Sequence, residues 1–215
     1  MSALKQEREQ EQQKATSESA YITAVSNLLK CYLKDLPEEA ERMPVLLQQL
    51  EQNDCSLTDR KNMVGHLTAS ALVIKESQVL LIHHNGLKRW LQPGGHLDHN
   101  EEPEAGARRE LLEETGLGSL QEIELIHSPY SSQTKTLPFD VDTHDIPANP
   151  AKNEGEHRHH DFQYLYRLDG QKAQAIVLQE EEVGKYKWVT FEQLESGDYG
   201  RRLRRVAAKL KALPG

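Results

Sequence analysis

The period of the apolar positions changes along this chain. From about Ser19 they fall on one helical stripe, Tyr21, Val25, Leu28, Leu29 and Leu33. A second helical piece is predicted over 38–52, after Pro37, carrying Met43, Leu46, Leu47 and Leu50. Upstream, residues 1–18 are almost wholly Gln, Glu, Lys and small polar side chains, which read as a frayed helix or as disorder. Past Gly65 the pattern becomes that of strands. HLTASALVI and QVLLIHH are predicted strands, the second followed by an Asn85-Gly86 turn. Further strands are predicted at about 119–127, 137–146, 157–167, 173–178 and 185–190. A short helix at Phe191–Glu195 follows, then a last one over about 199–212 whose stripe is Leu203, Val206, Ala207 and Leu210. Strands flanked by helices predict an α/β fold. The chain divides into a helical N-terminal extension, residues 1–60, and a domain over 65–215.

Between the early and late strands lies GHLDHNEEPEAGARRELLEETGL, residues 95–117. Asn100 reads as a cap, Pro103 suits a first turn, and the run from about Glu102 to Thr115 is rich in good helix formers. Gly116 stands where a left-handed residue would end the helix. Glu110, Glu113 and Glu114 then stand at i, i+3 and i+4 on one face, in the last turn, at the negative end of the helix dipole. Each of those like-charge terms costs from a few tenths to about 1 kcal/mol, and their signs agree. A hard divalent cation would remove the penalty, because carboxylate oxygens are its preferred ligands. Ala107 and Leu111, one turn apart, would seat the helix on a core.

The fixed positions Gly95, Glu101, Arg109, Glu110, Glu113, Glu114 and Gly116, with Leu111 and Leu117 in aliphatic slots, resemble the signature of the Nudix hydrolases. At roughly one chance in fifteen per position, seven matches arise by accident about once in 10^8 windows. The resemblance implies an α/β/α sandwich with a mixed sheet, to which the N-terminal helices are an addition. It implies a pyrophosphohydrolase that needs Mg²⁺, with Mn²⁺ as a substitute, and hydrolyses a phosphoanhydride in a nucleoside diphosphate linked to another moiety. It assigns metal ligation to Glu110, Glu113 and Glu114. Arg109 would orient a glutamate, Gly94 and Gly95 would let backbone approach metal and phosphate, and Glu101 would support them. The general base varies within this superfamily; Glu110 is one candidate, and Glu180, Glu181 and Glu182, before the Trp188 strand, are the others. Two other readings share the fold: a nucleotide-sensing module without catalysis, and an isopentenyl-diphosphate isomerase. The intact glutamates weigh against the first. Cys31 and Cys55, both outside the 65–215 domain, weigh against the second.

A second polar set is specific to this chain. FDVDTHDI places Asp140, Asp142 and His144 on one face, and HRHHDFQYLY places His157, His159 and Asp161 on one face. Paired as a hairpin, Asp142, His144, His157, His159 and Asp161 would share a surface. Such a cluster suits zinc or another transition metal, or contacts to phosphate and ribose; a polar sheet face facing solvent is the plain alternative.

Composition narrows the setting. The net charge is −8, from 26 basic and 34 acidic side chains, which argues against nonspecific grip on nucleic acid or anionic membrane. Arg201, Arg202, Arg204, Arg205, Lys209 and Lys211 on the last helix read as a solvated cationic face. No run of 18 apolar residues suggests a membrane span, and the N-terminus has no apolar core of a secretory signal. Two cysteines without ligand spacing read as free thiols in a reducing cytoplasm. The expected partner is a small nucleotide-type substrate. The extension is expected to pack on the core, cap a substrate or build a homodimer.

Overall fold

The computed structural model describes residues 3–118, 123–126, 136–150, 153–169 and 176–213. They fall into two compact units. The first comprises Met1–Leu67, Asp98–Asn100 and Thr143–His160; the second comprises Thr68–Leu97, Glu101–Asp142 and Asp161–Gly215. The N-terminal helices thus share a unit with residues 98–100 and 143–160, which the sequence pattern groups with the following domain.

In the first unit, α1 (Ala3–Asp35) is one helix running from the polar stretch into the apolar stripe. Among its described side chains Tyr21, Ile22, Val25, Leu29 and Tyr32 are buried, an i, i+3, i+4 set rotated slightly from the expected stripe. The helix predicted over 38–52 is divided into a 3-10 turn, Pro37–Arg42, and α2 (Pro44–Glu51). Each piece begins with a proline, because a residue without an N–H cannot continue the ladder but suits a first turn. The Tyr32 hydroxyl donates to Glu39, whose carboxylate also pairs with Arg42.

Gln49 of α2 ties this unit together. Its amide nitrogen donates to Asp54 Oδ2 at 2.9 Å and to the Gly65 carbonyl at 3.0 Å. Its amide oxygen accepts from His160 Nε2 at 2.9 Å, and His160 Nδ1 lies 2.9 Å from Thr143 Oγ1. Burial pushes the His160 pKa down to about 4, so the ring is neutral. An amide oxygen only accepts, so Nε2 carries the proton and Nδ1 takes the Thr143 hydroxyl.

The strands are β1 (His66–Lys75), β2 (Gln78–His84), β3 (Arg89–Leu91), β4 (Gly94–His96), β5 (Ile123–Leu125), β6 (Asp140–Ile146), β7 (His157–Leu168) and β8 (Val183–Thr190). They form one eight-stranded sheet of order β3-β2-β1-β7-β5, with β4 on β1, β6 on β7 and β8 on β2. With its flanking helices this is an α/β fold. Gln78–His84 was legible because QVLLIHH is an apolar run bounded by turn residues. β3 and β4, three residues each, are too short to show a period. The strand predicted at 119–127 is seen at Ile123–Leu125; residues 119–122 and 127 lie outside the described set. Of 173–178, residues 173–175 lie outside it, and 176–178 take no regular structure.

In the second unit, α4 (Phe191–Glu195) and α5 (Gly200–Lys211) cover the sheet. Thr190 and Gln193 close α4 with a reciprocal capping box. Leu203, Val206, Ala207 and Leu210 of α5 are buried with Leu72, Val79, Leu81, Phe139, Leu165 and Val189. Each such leucine or valine contributes about 1.5–3 kcal/mol by leaving water. Among the described residues no helix is long and apolar enough to cross a membrane.

Candidate catalytic site

The helix that carries the glutamates, α3, spans Pro103–Thr115. Glu102 rather than Asn100 occupies its cap position. Asn100 sits two residues earlier at φ +58°, a left-handed turn conformation that asparagine tolerates. Gly116, at φ +71°, ends the helix, its N–H reaching the Leu112 carbonyl at 2.9 Å. Ala107 and Leu111 are fully buried and fix the rotation of the helix. That rotation turns Glu110 and Glu114 inward and leaves Glu113 half exposed.

The inward carboxylates meet the backbone of β4. Pairing with β1 places Gly94 opposite Ser70 and Gly95 opposite Ala69. The Gly94 N–H donates to Glu114 Oε2 at 2.9 Å. A Cβ on Gly95 would lie 2.5 Å from Glu110 Oε1, and one on Gly94 would run into the Ser70 side chain and the Ala69 carbonyl. Both glycines therefore serve close approach, Gly94 to the neighbouring strand and Gly95 to a carboxylate.

Arg109 braces the set from the other side. Its Nε and Nη2 donate to Glu101 Oε1 and Oε2 at 2.9 and 2.8 Å, and Nη2 also donates to the His96 carbonyl at 2.9 Å. Nη1 donates to Glu110 Oε1 at 2.9 Å and Glu113 Oε2 at 3.1 Å. The Glu101 bonds hold the guanidinium pKa above its ordinary value against the cost of burial.

Glu114 is nearly inaccessible, at 3% exposure. Burial pushes its pKa up to about 8; the Gly94 bond opposes the rise, and the charges of Glu110, Glu182 and Glu113 add to it. Glu110 is raised as well, by burial first, with Arg109 opposing and Glu113 and Glu182 adding. Glu182 reaches this field from the segment before β8. There the Val177 N–H bonds to the Thr115 carbonyl at 3.0 Å and the Gln179 N–H to the Glu114 carbonyl at 3.3 Å, so the segment takes up the last carbonyls of α3. The Glu180 and Glu182 carbonyls accept from Asn85, at 3.0 and 2.8 Å. Glu110 and Glu114 crowd one another and carry raised pKa values, with Arg109 as a partner of Glu110 alone of the two, and they form an all-oxygen donor set. That fits a hard divalent ion such as Mg²⁺ or Mn²⁺.

The second polar set divides. Asp142 accepts from Arg205 Nη2 at 2.7 Å, beside Asp140, which takes Arg205 at 2.7 Å and Lys209 at 2.9 Å. Asp161 accepts from Thr68 and Ser70 at 3.1 and 2.7 Å and pairs with Arg202 at 3.4 Å. The two aspartates are thus engaged by α5 and β1, outside the group of histidines that converges nearby. Three cations of α5, expected as a solvated face, are spent on these buried acids, while Arg201 and Arg204 stay exposed. Burial works against the Arg205 charge, and Asp140 and Asp142 outweigh it, holding its pKa above the ordinary value.

His157 and His159 instead gather with His66, the first residue of β1, which belongs to neither predicted polar face. One ring nitrogen from each lies within 4.8 Å of the others. His144 is adjacent, its ring centre 5.8 Å from that of His159. The signal for His66 was the alternation His66, Thr68, Ser70 inside a strand otherwise read for its apolar residues.

Comparison with known proteins covers the same stretch. The NUDIX domain pattern matches residues 65–210. A Lactococcus lactis subsp. cremoris (strain MG1363) protein named probable DHNTP pyrophosphohydrolase is 36% identical over 141 residues, 66% of this chain and 77% of that one. A C. elegans Ap4A hydrolase in a binary complex superposes with a TM-score of 0.51 at 18% identity, covering 68% of this chain and 95% of that one. The E. coli dihydroneopterin triphosphate pyrophosphohydrolase gives 0.51 at 15% identity, covering 66% and 92%. Likeness at such identity speaks for the fold alone.

Proposed function

The chain belongs to the NUDIX domain family and is a pyrophosphohydrolase, and we propose that it performs Mg²⁺-dependent hydrolysis of a phosphoanhydride in a small nucleotide-type substrate, a nucleoside diphosphate linked to another moiety. The observation that supports this best is the buried pair Glu110 and Glu114, both raised in pKa, packed against the Gly94-Gly95 backbone and braced by Arg109.

In this reading Glu110, Glu113 and Glu114 hold the divalent ions. Such ions supply charge neutralisation at the diphosphate and a lowered pKa for a bound water. The chain supplies the rest. Arg109 favours the ionised form of Glu110 and aims it, and Glu101 keeps Arg109 in place. Burial around Glu114 strengthens each electrostatic contact by excluding water. Water attacks phosphorus, the bridging P–O bond breaks, and the leaving phosphate takes the electron pair. Glu182, whose charge bears on Glu110 and Glu114, takes the proton from water as general base.

The Lactococcus relative favours a second reading, a pterin triphosphate in place of a nucleotide. At 36% identity, its name makes a DHNTP-type triphosphate the first compound to test. The experiment is a hydrolysis panel with Mg²⁺, comparing dihydroneopterin triphosphate, nucleoside triphosphates, sugar nucleotides and dinucleoside polyphosphates, with product identification. A single preferred class, abolished by chelation, is the expected result. Turnover of none of them under saturating Mg²⁺ or Mn²⁺ would overturn it.

A further inference from the structure

We propose that His66, His157 and His159 form a second cation site, separate in chemistry from the carboxylates, built for a borderline transition metal such as Zn²⁺. Strand alternation turns His157 and His159 to one side of β7, and their Nε2 atoms lie 3.3 Å apart. Two ligands of a tetrahedral zinc, each about 2.0–2.1 Å from the metal, stand about 3.3–3.4 Å apart. The His66 ring stacks on His157 with centres 5.0 Å apart and tilts toward His159 at 4.8 Å.

The outer contacts fix which nitrogens face inward. His157 Nδ1 lies 2.8 Å from the Gly155 carbonyl, and His66 Nδ1 lies 3.3 Å from the Asn62 carbonyl. A carbonyl only accepts, so each Nδ1 carries the proton and each Nε2 presents a lone pair. A backbone carbonyl on the far nitrogen is the usual support of a metal-bound histidine. His66 and His157 are nearly inaccessible, at 1% and 7% exposure. Neutral imidazoles suit zinc, cobalt and nickel, and Mg²⁺ takes them poorly. All three ligands lie in the unit that contains the N-terminal helices, so a bound ion would link the start of β1 to β7 and stabilise that unit.

The test uses the full chain, stripped of metal and titrated with Co²⁺ in saturating Mg²⁺. We expect one equivalent of Co²⁺ bound with the visible bands of a nitrogen-ligated ion, displaced by Zn²⁺, and a melting temperature raised by either metal. His159→Ala, whose ring is partly exposed, should fold with an unchanged metal-free melting temperature and lose the bands and the rise. The double variant Glu110→Gln/Glu114→Gln should keep both. Wild type that takes up no Co²⁺ beside Mg²⁺ would overturn the proposal, as would bands that survive His159→Ala or vanish in the double glutamine variant.

Discussion

Arg109 grips Glu101 with two parallel hydrogen bonds of 2.9 and 2.8 Å, and this leaves only Nη1 to reach Glu110 and Glu113. The helix therefore positions its carboxylates through a planar fork that lysine cannot reproduce. Arg109→Lys should lower kcat about 10–100-fold, the usual effect of losing an outer-shell partner, and raise the Mg²⁺ concentration for half-activity. An Mg²⁺ titration of initial rates checks both. Unchanged values for the lysine variant would show the fork to be ornamental.

Glu114→Gln retains an acceptor for the Gly94 N–H and removes one charge. We expect at least about a hundredfold loss of kcat, several kcal/mol of metal-dependent stabilisation, with the fold intact.

The same variant reports the sign of the Glu114 shift. Its folded pKa, about 8, lies above the ordinary 4.5. Between those values the folded, metal-free protein holds a proton that the unfolded chain has released. Stability from this group therefore falls as pH rises through the window, by a few kcal/mol at about 1.36 kcal/mol per unit. In EDTA, wild type should lose melting temperature relative to Glu114→Gln from pH 5 to pH 8. Parallel curves for the two proteins would mean the carboxylate is not strained. Mg²⁺ affinity should rise about tenfold per pH unit below 8, because binding displaces that proton.

The two glycines separate fold from site. Gly94→Ala would press a methyl group on Ser70 and the Ala69 carbonyl, which are strand atoms with little room to move, so it should lower the melting temperature strongly. Gly95→Ala would press on the Glu110 carboxylate at the end of a flexible side chain. It should spare stability and lower activity. Thermal melts beside kcat for the pair decide the matter; equal effects of both substitutions on both readouts would contradict it.

Arg205→Met should destabilise by about 3 kcal/mol, the lower end for breaking a buried pair, because Lys209 still faces the fully buried Asp140. Denaturant unfolding measures it, and a loss under about 0.5 kcal/mol would class the arginine as an ordinary surface residue.

The catalytic helix was legible because its information is local. Glu110, Glu113 and Glu114 lie within five residues, and helical periodicity alone puts them together. The period of β6 and β7 was equally legible, but the partners of their side chains were not. Asp142 and Asp161 look like candidate ligands until α5 supplies Arg205 and Arg202 from 63 and 41 residues away. His66 joins His157 across a sequence gap no pattern bridges. The N-terminal helices show the same limit: their stripe reveals a buried face, while Gln49 finds His160 at a separation of 111 residues.

The segment that bonds to the end of α3 has a kinetic consequence. Gln179 is pinned to the Glu114 carbonyl, and Glu182 follows three residues later. So short a leash gives the Glu182 carboxylate a high effective concentration at the glutamate face, where a base on a free loop would have to search for it. With Glu182 as the proposed base, the timing of proton removal depends on the end of a helix. Two glycines inserted after Gln179 would lengthen the leash without altering a single charge, and the chemical step should slow while substrate affinity stays as it was.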